Sequence, residues 1–153
     1  MPVKSIDRNV VREYYKLPKD KKIFVYGGNL GKPQAVNFII KCLNANKNRK
    51  DCFFLIVGSG TEYQTIYQWI NNTQPDNILL QNYLPNEQYN NLLTCCDVGM
   101  IFLDYRFSIP NYPSRLLSYL NNKLPVLIAT DTNCDMGVIA TENNFGSWCQ
   151  VMM

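Results

Sequence analysis

The chain alternates short apolar runs with segments in which apolar residues recur every three or four positions. The runs at residues 22–27 and 53–58, KIFVYG and FFLIVG, have the length of buried strands. Each precedes a helical stripe, and the two stripes consist of Val36, Ile39, Ile40 and Leu43, and of Tyr63, Ile66, Tyr67 and Ile70. Thr61 and Gln64 have the spacing of a capping box, which predicts the start of the second helix.

The same alternation continues to the end of the sequence. Further strands are predicted at residues 77–81, 98–103, 125–130 and 147–151, and further helices at residues 86–94, 114–121 and 136–142. Continuous apolar strands separated by helices are typical of a parallel sheet covered on both faces. The predicted fold class is therefore α/β, a doubly wound parallel sheet of about six strands.

Composition narrows the class of protein. The 153 residues, 46% of them hydrophobic, are enough for one domain with a core of its own. The sequence shows neither an apolar run of membrane-spanning length nor the apolar segment of a signal peptide, so a cytoplasmic location is expected. Histidine is absent and the six cysteines form no C-x-x-C pair, so the usual zinc spacings cannot be assembled.

Charge is distributed unevenly along the chain. Residues 1–50 hold 12 Lys and Arg against 3 Asp and Glu, and residues 51–153 hold 3 against 9. The basic end is interpreted either as a face toward an anionic membrane or partner domain, or as solvated lysines on a linker and an outer helix. The basic residues do not alternate with aromatic ones, so no nucleic acid partner is expected.

Ligands of doubly wound sheets bind beyond the carboxyl ends of the strands, which draws attention to the loops there. The first loop, at residues 27–32, is one residue too short for a P-loop and has Asn29 where a dinucleotide fingerprint needs its second glycine. The second loop, GSGTEY, has Tyr63 in place of the third glycine. Backbone N–H groups that bind an anion and an ordinary tight turn both remain open for the first loop.

The third loop leads into a helix start. Pro113 and Ser114 stand where the predicted helix begins, and Arg115 lies in its first turn. These residues are interpreted either as an anion site or as a normal helix start with a surface arginine.

Four segments, read in order and at their intervals, resemble a known family. They are FVYGGNLGKPQAVNFII, FFLIVGSGTE, NILLQNYLPNEQYNNLLTCCDVGMI and PNYPSRLLSYLNNKLPVLIATD. Together they are similar to the C-terminal, donor-binding half of GT-B glycosyltransferases of family 4, in particular the bacterial surface-polysaccharide type. The resemblance implies a Rossmann-like domain at residues 21–153, an interdomain linker at residues 1–20, and a separate N-terminal acceptor domain that this chain lacks.

The resemblance also assigns roles to individual residues. It places Gly28, Asn29 and Gly31 at the diphosphate and sugar, and Gly58, Gly60 and Glu62 near the nucleotide. It places Tyr83 and Leu84 at the base, and Pro113, Ser114, Arg115 and Leu116 at the helix start that holds the diphosphate.

Two departures from the family pattern concern charge. The paired glutamates of many members fall on Pro110 and Ser118, and Ser118 can make a single hydrogen bond to a ribose hydroxyl. The arginine and lysine of the family's glycine loop fall on Asn29 and Gln34. Lys32 either replaces their positive charge or is simply exposed.

The implied function is transfer of a sugar, with retention, from a UDP- or GDP-sugar to a glycan or lipid-linked acceptor in surface polysaccharide synthesis. No metal or cofactor is expected; Arg115 and Lys32 would stabilise the leaving diphosphate electrostatically. Because the chain offers no evident base, the isolated domain is expected to bind donor without transferring sugar. Two alternatives are half of a GT-B nucleotide-sugar epimerase and a noncatalytic α/β nucleotide-binding or interaction module. Peripheral membrane contact is a further expectation.

Overall fold

The computed structural model describes residues 7–31, 36–102, 114–130 and 146–150, with the backbone alone described for residues 114–116, 129–130 and 146–150. Its elements are α1 (Arg8–Tyr14), β1 (Lys22–Asn29), α2 (Val36–Asn46), β2 (Cys52–Ser59), α3 (Tyr63–Thr73), β3 (Ile78–Gln81), α4 (Asn86–Leu93), β4 (Val98–Phe102), α5 (Ser114–Asn121), β5 (Val126–Thr130) and β6 (Gly146–Gln150). The helix predicted at 136–142 lies outside the described residues, and α1 was not predicted. No helix in the described part of the chain is long and apolar enough to cross a bilayer.

The strands form one parallel sheet in the order β3-β2-β1-β4-β5-β6. From β1 the chain first moves outward to β2 and β3, and then returns to the other side of β1 to add β4, β5 and β6. The strand order therefore reverses between β1 and β4, where such sheets open a crevice at their carboxyl ends. The predicted doubly wound α/β fold with about six strands is confirmed.

Alternate side chains of the strands fill two cores, one on each face of the sheet. In β1, for example, Ile23 and Val25 belong to the first core and Tyr26 to the second. Helices α1, α4 and α5 contribute to the first core, and α2 and α3 to the second. The continuous apolar strands are thus explained, because each is covered on both faces.

The unpredicted helix α1 is fixed by a buried arginine. The side chain of Asp7 caps the helix by accepting the N–H of Asn9 at 2.9 Å. Arg12 is only 6% exposed. Its guanidinium donates to the Cys95 carbonyl at 3.0 Å and to the carboxylate of Asp97 at 2.9 Å. It also donates to three backbone carbonyls within residues 18–21, each at 3.2 Å. Residues 8–14 therefore pack onto the domain, while the interpretation of residues 1–20 as an interdomain linker stays a prediction.

The predicted capping box at the start of α3 is wrong. The N-cap residue is Glu62, one position later than Thr61, and no side chain caps the helix. The N–H of Glu62 instead donates to the Leu30 carbonyl at 2.8 Å, and its carboxylate accepts the Thr65 hydroxyl at 3.1 Å. A tertiary contact with the neighbouring loop therefore sets where the helix begins.

Candidate functional site

β1 and β4 run side by side only over part of their length. Their paired residues are Phe24 with Val98 and Val25 with Gly99, and both strands continue beyond this point. β1 and β2, in contrast, stay paired along their entire length. The sheet therefore opens between β1 and β4 toward its carboxyl edge, at the point where the strand order reverses.

A cavity of about 280 Å³ lies at this edge. Its volume is just below the range of about 300–1,000 Å³ that is usual for small-molecule sites. It is lined by Gly27, Gly28 and Asn29 from β1, Val57 and Gly58 from β2, Tyr83 and Leu84 from the loop after β3, Asn86 and Tyr89 from α4, and Ser118 from α5. Residues far apart in sequence thus meet at the predicted edge of the sheet.

Two glycine loops lie against each other along one wall of the cavity. Gly28 and Gly58 are partners in the β1–β2 register and have φ values of +135° and +154°. A Cβ atom on Gly58 would collide with the Gly28 carbonyl oxygen, so the close approach requires glycine. Beyond them, the Leu30 N–H donates to the Ser59 carbonyl at 2.9 Å, and the Leu30 carbonyl accepts the Glu62 N–H. These contacts join the two loops into one wall.

Two tyrosines that the sequence did not single out support the cavity. The ring of Tyr89 packs so closely on Gly27 that any residue with a Cβ atom would collide with it. The ring of Tyr119 packs equally closely on Gly99. Tyr119 is fully buried in the first core. Because both tyrosines fall on apolar helical stripes, their sequence signal is that of ordinary core residues. The only specific hint is that a glycine interrupts each facing strand.

Helix starts also face this edge of the sheet. α4 begins at Asn86, its N-cap Pro85 offers no side-chain hydrogen bond, and the first helical bond runs from the Tyr89 N–H to the Pro85 carbonyl at 2.9 Å. α5 follows β4 and therefore begins at the same edge, with Ser118 in the cavity wall. Unbonded N–H groups and the helix dipole make such starts favourable for anions.

The structure brings together six of the predicted binding residues in the cavity wall: Gly28, Asn29, Gly58, Tyr83, Leu84 and Ser118. Gly31, Gly60 and Glu62 do not line this cavity. Gly60 instead packs against Leu30, and a Cβ atom added to Gly60 would collide with the Leu30 carbonyl. Lys32 and Pro113 lie outside the described residues, and Ser114, Arg115 and Leu116 are described only as the first turn of α5. The roles assigned to all of these residues stay predictions.

The described wall of the cavity carries no Lys or Arg side chain. The described lining residues therefore offer no side-chain positive charge to an anionic ligand. In the described ranges, no three His, Cys, Asp or Glu residues are grouped so that they could hold a metal ion. The expectation that no metal is needed stays a prediction.

The fold and the cavity define a doubly wound α/β domain with a small-molecule cleft at its switch point. The family model described as "Glycosyl transferases group 1" matches residues 7–151, and the chain belongs to this family.

Individual relatives agree with this assignment. The chain is 24% identical over 131 residues to the probable glycosyltransferase WbjE of Pseudomonas aeruginosa, a match that covers 86% of the chain and 32% of WbjE. It matches WaaG, a glycosyltransferase involved in lipopolysaccharide biosynthesis, with a TM-score of 0.67 and 16% identity over 94% of this chain and 37% of WaaG. It matches the C-terminal domain of LpcC, a group 1 family protein of Francisella tularensis, with a TM-score of 0.69 and 14% identity over 95% of this chain and 75% of that domain.

A further match is Anabaena HepE in complex with UDP-glucose, with a TM-score of 0.65 and 13% identity over 83% of this chain and 34% of HepE. These structural matches concern the fold. The chain spans about a third of the length of WbjE, WaaG and HepE.

Proposed function

We propose that this chain is the donor-binding half of a retaining GT-B glycosyltransferase of family 4. The complete enzyme would transfer a sugar from a nucleotide-diphosphate sugar to a glycan or lipid-linked acceptor in surface polysaccharide synthesis. The observation that carries the proposal is the cavity at the β1/β4 switch point, where the paired glycine loops and the start of α4 meet. The presence of UDP-glucose in HepE and the role of WaaG in lipopolysaccharide synthesis support UDP-sugars and a polysaccharide product.

The chemistry of the proposal is electrostatic. When the sugar departs, negative charge develops on the β-phosphate of the nucleotide, and fixed donors at that position lower the barrier. The N–H groups in the first turn of α5 would supply such donors, with the guanidinium of Arg115 and the ammonium of Lys32 adding positive charge. Tyr83, which is 64% exposed at the rim of the cavity, would lie beside the base.

Calorimetry with UDP and GDP tests the donor site directly. We expect the folded chain to bind one of them and to transfer no sugar by itself. Arg115→Gln should weaken binding about tenfold, which is about 1.4 kcal/mol, because it removes a charged phosphate donor. Lys123→Gln is the matched control, since Lys123 is an exposed cation just after the other end of α5 and should not affect affinity. No binding of either nucleotide by a demonstrably folded sample would refute the proposal.

The opposite edge of the sheet suggests the membrane-facing surface of such an enzyme. The loops before β1, β2 and β5 end at this edge and present exposed lysines, among them Lys16, Lys50 and Lys123, and Lys22, the first residue of β1, is exposed there too. Each lysine near an anionic leaflet contributes about 1 kcal/mol to membrane attraction. We therefore include peripheral contact with anionic lipid, through this edge, in the proposal.

Vesicle sedimentation tests this surface. The chain should sediment with phosphatidylcholine vesicles that contain phosphatidylglycerol, less so at high salt, and not with pure phosphatidylcholine. Lys22→Glu combined with Lys50→Glu should abolish sedimentation. Lys41→Glu is the control, because it reverses the charge of an exposed lysine in the middle of α2, away from this edge. An equal loss of sedimentation per reversed charge in the control would refute a specific surface.

A further inference from the structure

A single side-chain hydroxyl occupies the place where the β1–β4 ladder stops. In a parallel ladder the register that pairs Val25 with Gly99 would next direct the Gly27 N–H to the Met100 carbonyl. The pairing instead ends at Val25, and the Tyr119 hydroxyl lies between the two groups. It accepts the Gly27 N–H at 3.3 Å and donates to the Met100 carbonyl at 3.0 Å, with the Val25 carbonyl at 3.2 Å as a second acceptor.

The ring that carries this hydroxyl is held firmly. Tyr119 is 0% exposed, and its ring lies against Gly99, where an added Cβ would overlap it. A phenol has one proton to donate and can also accept, so one hydroxyl can serve both the N–H of one strand and a carbonyl of the other. The bridge therefore satisfies buried backbone groups of two strands that have begun to separate.

Two of the three elements that this bridge joins, β1 and α5, line the cavity of the proposed nucleotide-diphosphate site. Gly27 lines the cavity and precedes Gly28 of the glycine loop, and Ser118, the neighbour of Tyr119 on α5, lines the cavity from the other side. We propose that Tyr119 is a positioning residue, whose hydroxyl inserts between β1 and β4, keeps the crevice open and fixes α5 relative to the glycine loop. This inference rests on the proposed nucleotide-diphosphate site.

Tyr119→Phe tests the bridge, because it keeps the ring and removes only the hydroxyl. We expect UDP affinity to fall about tenfold, whereas the weak binding of uridine, followed by NMR titration, should fall by about threefold or less, because uridine reaches Ser118 on α5 but has no diphosphate to hold at the glycine loop. The backbone amide signal of Gly27 should shift, and its hydrogen exchange should become faster. Gly99→Ala, which displaces the Tyr119 ring, should reproduce these changes.

Ile128→Val is the matched control. Ile128 is fully buried in β5 in the same core, so its truncation loosens packing without touching the bridge. It should leave UDP affinity and the Gly27 amide unchanged. If Tyr119 served only the stability of the domain, Tyr119→Phe would be less stable but its folded molecules would bind UDP with the affinity of the wild type.

The outcomes separate this inference from the proposed function. If the wild-type chain binds neither UDP nor GDP, the proposed function fails and this inference fails with it. If the wild type binds UDP and Tyr119→Phe binds it equally well, or loses UDP and uridine in the same proportion, only the positioning role is overturned.

Discussion

Asp97 connects α1 to the amino ends of β1 and β4, and its removal gives a sharp test of how the domain is held together. One carboxylate oxygen accepts from Arg8 at 2.7 Å, and the other accepts from Arg12 at 2.9 Å and from the Ile23 N–H at 2.8 Å. Burial by itself raises the pKa of Asp97, but the Ile23 N–H and the charges of Arg8 and Arg12 outweigh it and hold the pKa below its usual value.

The cost of Asp97→Asn follows from these contacts. The amide oxygen can still accept from Arg12 and the Ile23 N–H, but its NH₂ group cannot accept from Arg8, and the bond to Arg12 no longer joins two charges. A hydrogen bond to a charged group is worth about 1.5–3 kcal/mol. Two facts reduce the cost: the Arg8 side chain is 50% exposed, and Arg12 keeps its carbonyl acceptors. We expect a loss of about 2–3 kcal/mol in the free energy of unfolding, or about 4–12 °C in Tm for a chain of this size.

Urea unfolding at a series of pH values measures this loss and its origin. Because the folded-state pKa of Asp97 is lowered, its contribution to stability is complete above the unfolded-state pKa and is lost as pH falls through the folded-state value. The difference in stability between wild type and Asp97→Asn should therefore be largest near neutral pH and shrink below about pH 4. A difference that does not change with pH would contradict the ionic origin.

Asp51→Asn is the control for this experiment. Arg49 and Asp51 also lie 2.7 Å apart, and the hydrogen bond from Arg49 likewise lowers the pKa of Asp51. Both side chains are more than half exposed, so solvent screens the pair and little change in stability is expected. A loss in the control that equals the loss in Asp97→Asn would show that burial does not decide the outcome.

Three further substitutions address the cavity. Gly58→Ala should lower the free energy of unfolding, measured in urea, by about 2–4 kcal/mol, because the new Cβ would collide with the Gly28 carbonyl and the φ of Gly58 is unfavourable for alanine. An unchanged stability would contradict the close contact between the two loops. Gly27→Ala should displace the Tyr89 ring and destabilise the domain by about 1–3 kcal/mol. It should also weaken UDP binding in calorimetry, and an unchanged affinity would show that the Tyr89 ring does not support the binding site. Ser118→Glu restores the carboxylate that the family resemblance places at the ribose and should tighten UDP binding about tenfold; weaker binding would contradict that placement.

Most of the fold could be predicted because its strands are covered on both faces. β2, for example, is buried from Cys52 through Gly58, so its apolar run stands out without any knowledge of the partners. α1 could not be predicted in the same way. It has seven residues and few apolar ones, and it is held by Arg12, whose hydrogen bond to the Cys95 carbonyl spans 83 positions of sequence. Contacts of that range leave no periodic signal.

The part of the candidate site that is formed by the ends of strands could be predicted from the sequence. The part that depends on which ring packs on which glycine could not. Loops that follow strands were expected to meet, and Gly28, Gly58 and Ser118 do line one cavity. Tyr89 and Tyr119 were missed because an aromatic residue on an apolar stripe predicts core packing. Their importance depends on which glycine of another strand each ring faces, and that information exists only in the folded chain.

The glycine loops show why motif matching failed at this site although the cavity is present. A dinucleotide fingerprint assumes that one loop supplies every glycine the phosphates require. Here the glycines are divided between two strands: Gly28 and Gly58 allow the strands to approach each other closely, and Gly60 makes room for the Leu30 carbonyl. The first loop therefore tolerates Asn29 at a fingerprint position, because close approach is achieved between loops and not within one of them. β1 and β4 separate beyond Val25, and the Tyr119 hydroxyl bridges them. In the proposed site, the start of α5 would provide the remaining donors for an anionic ligand.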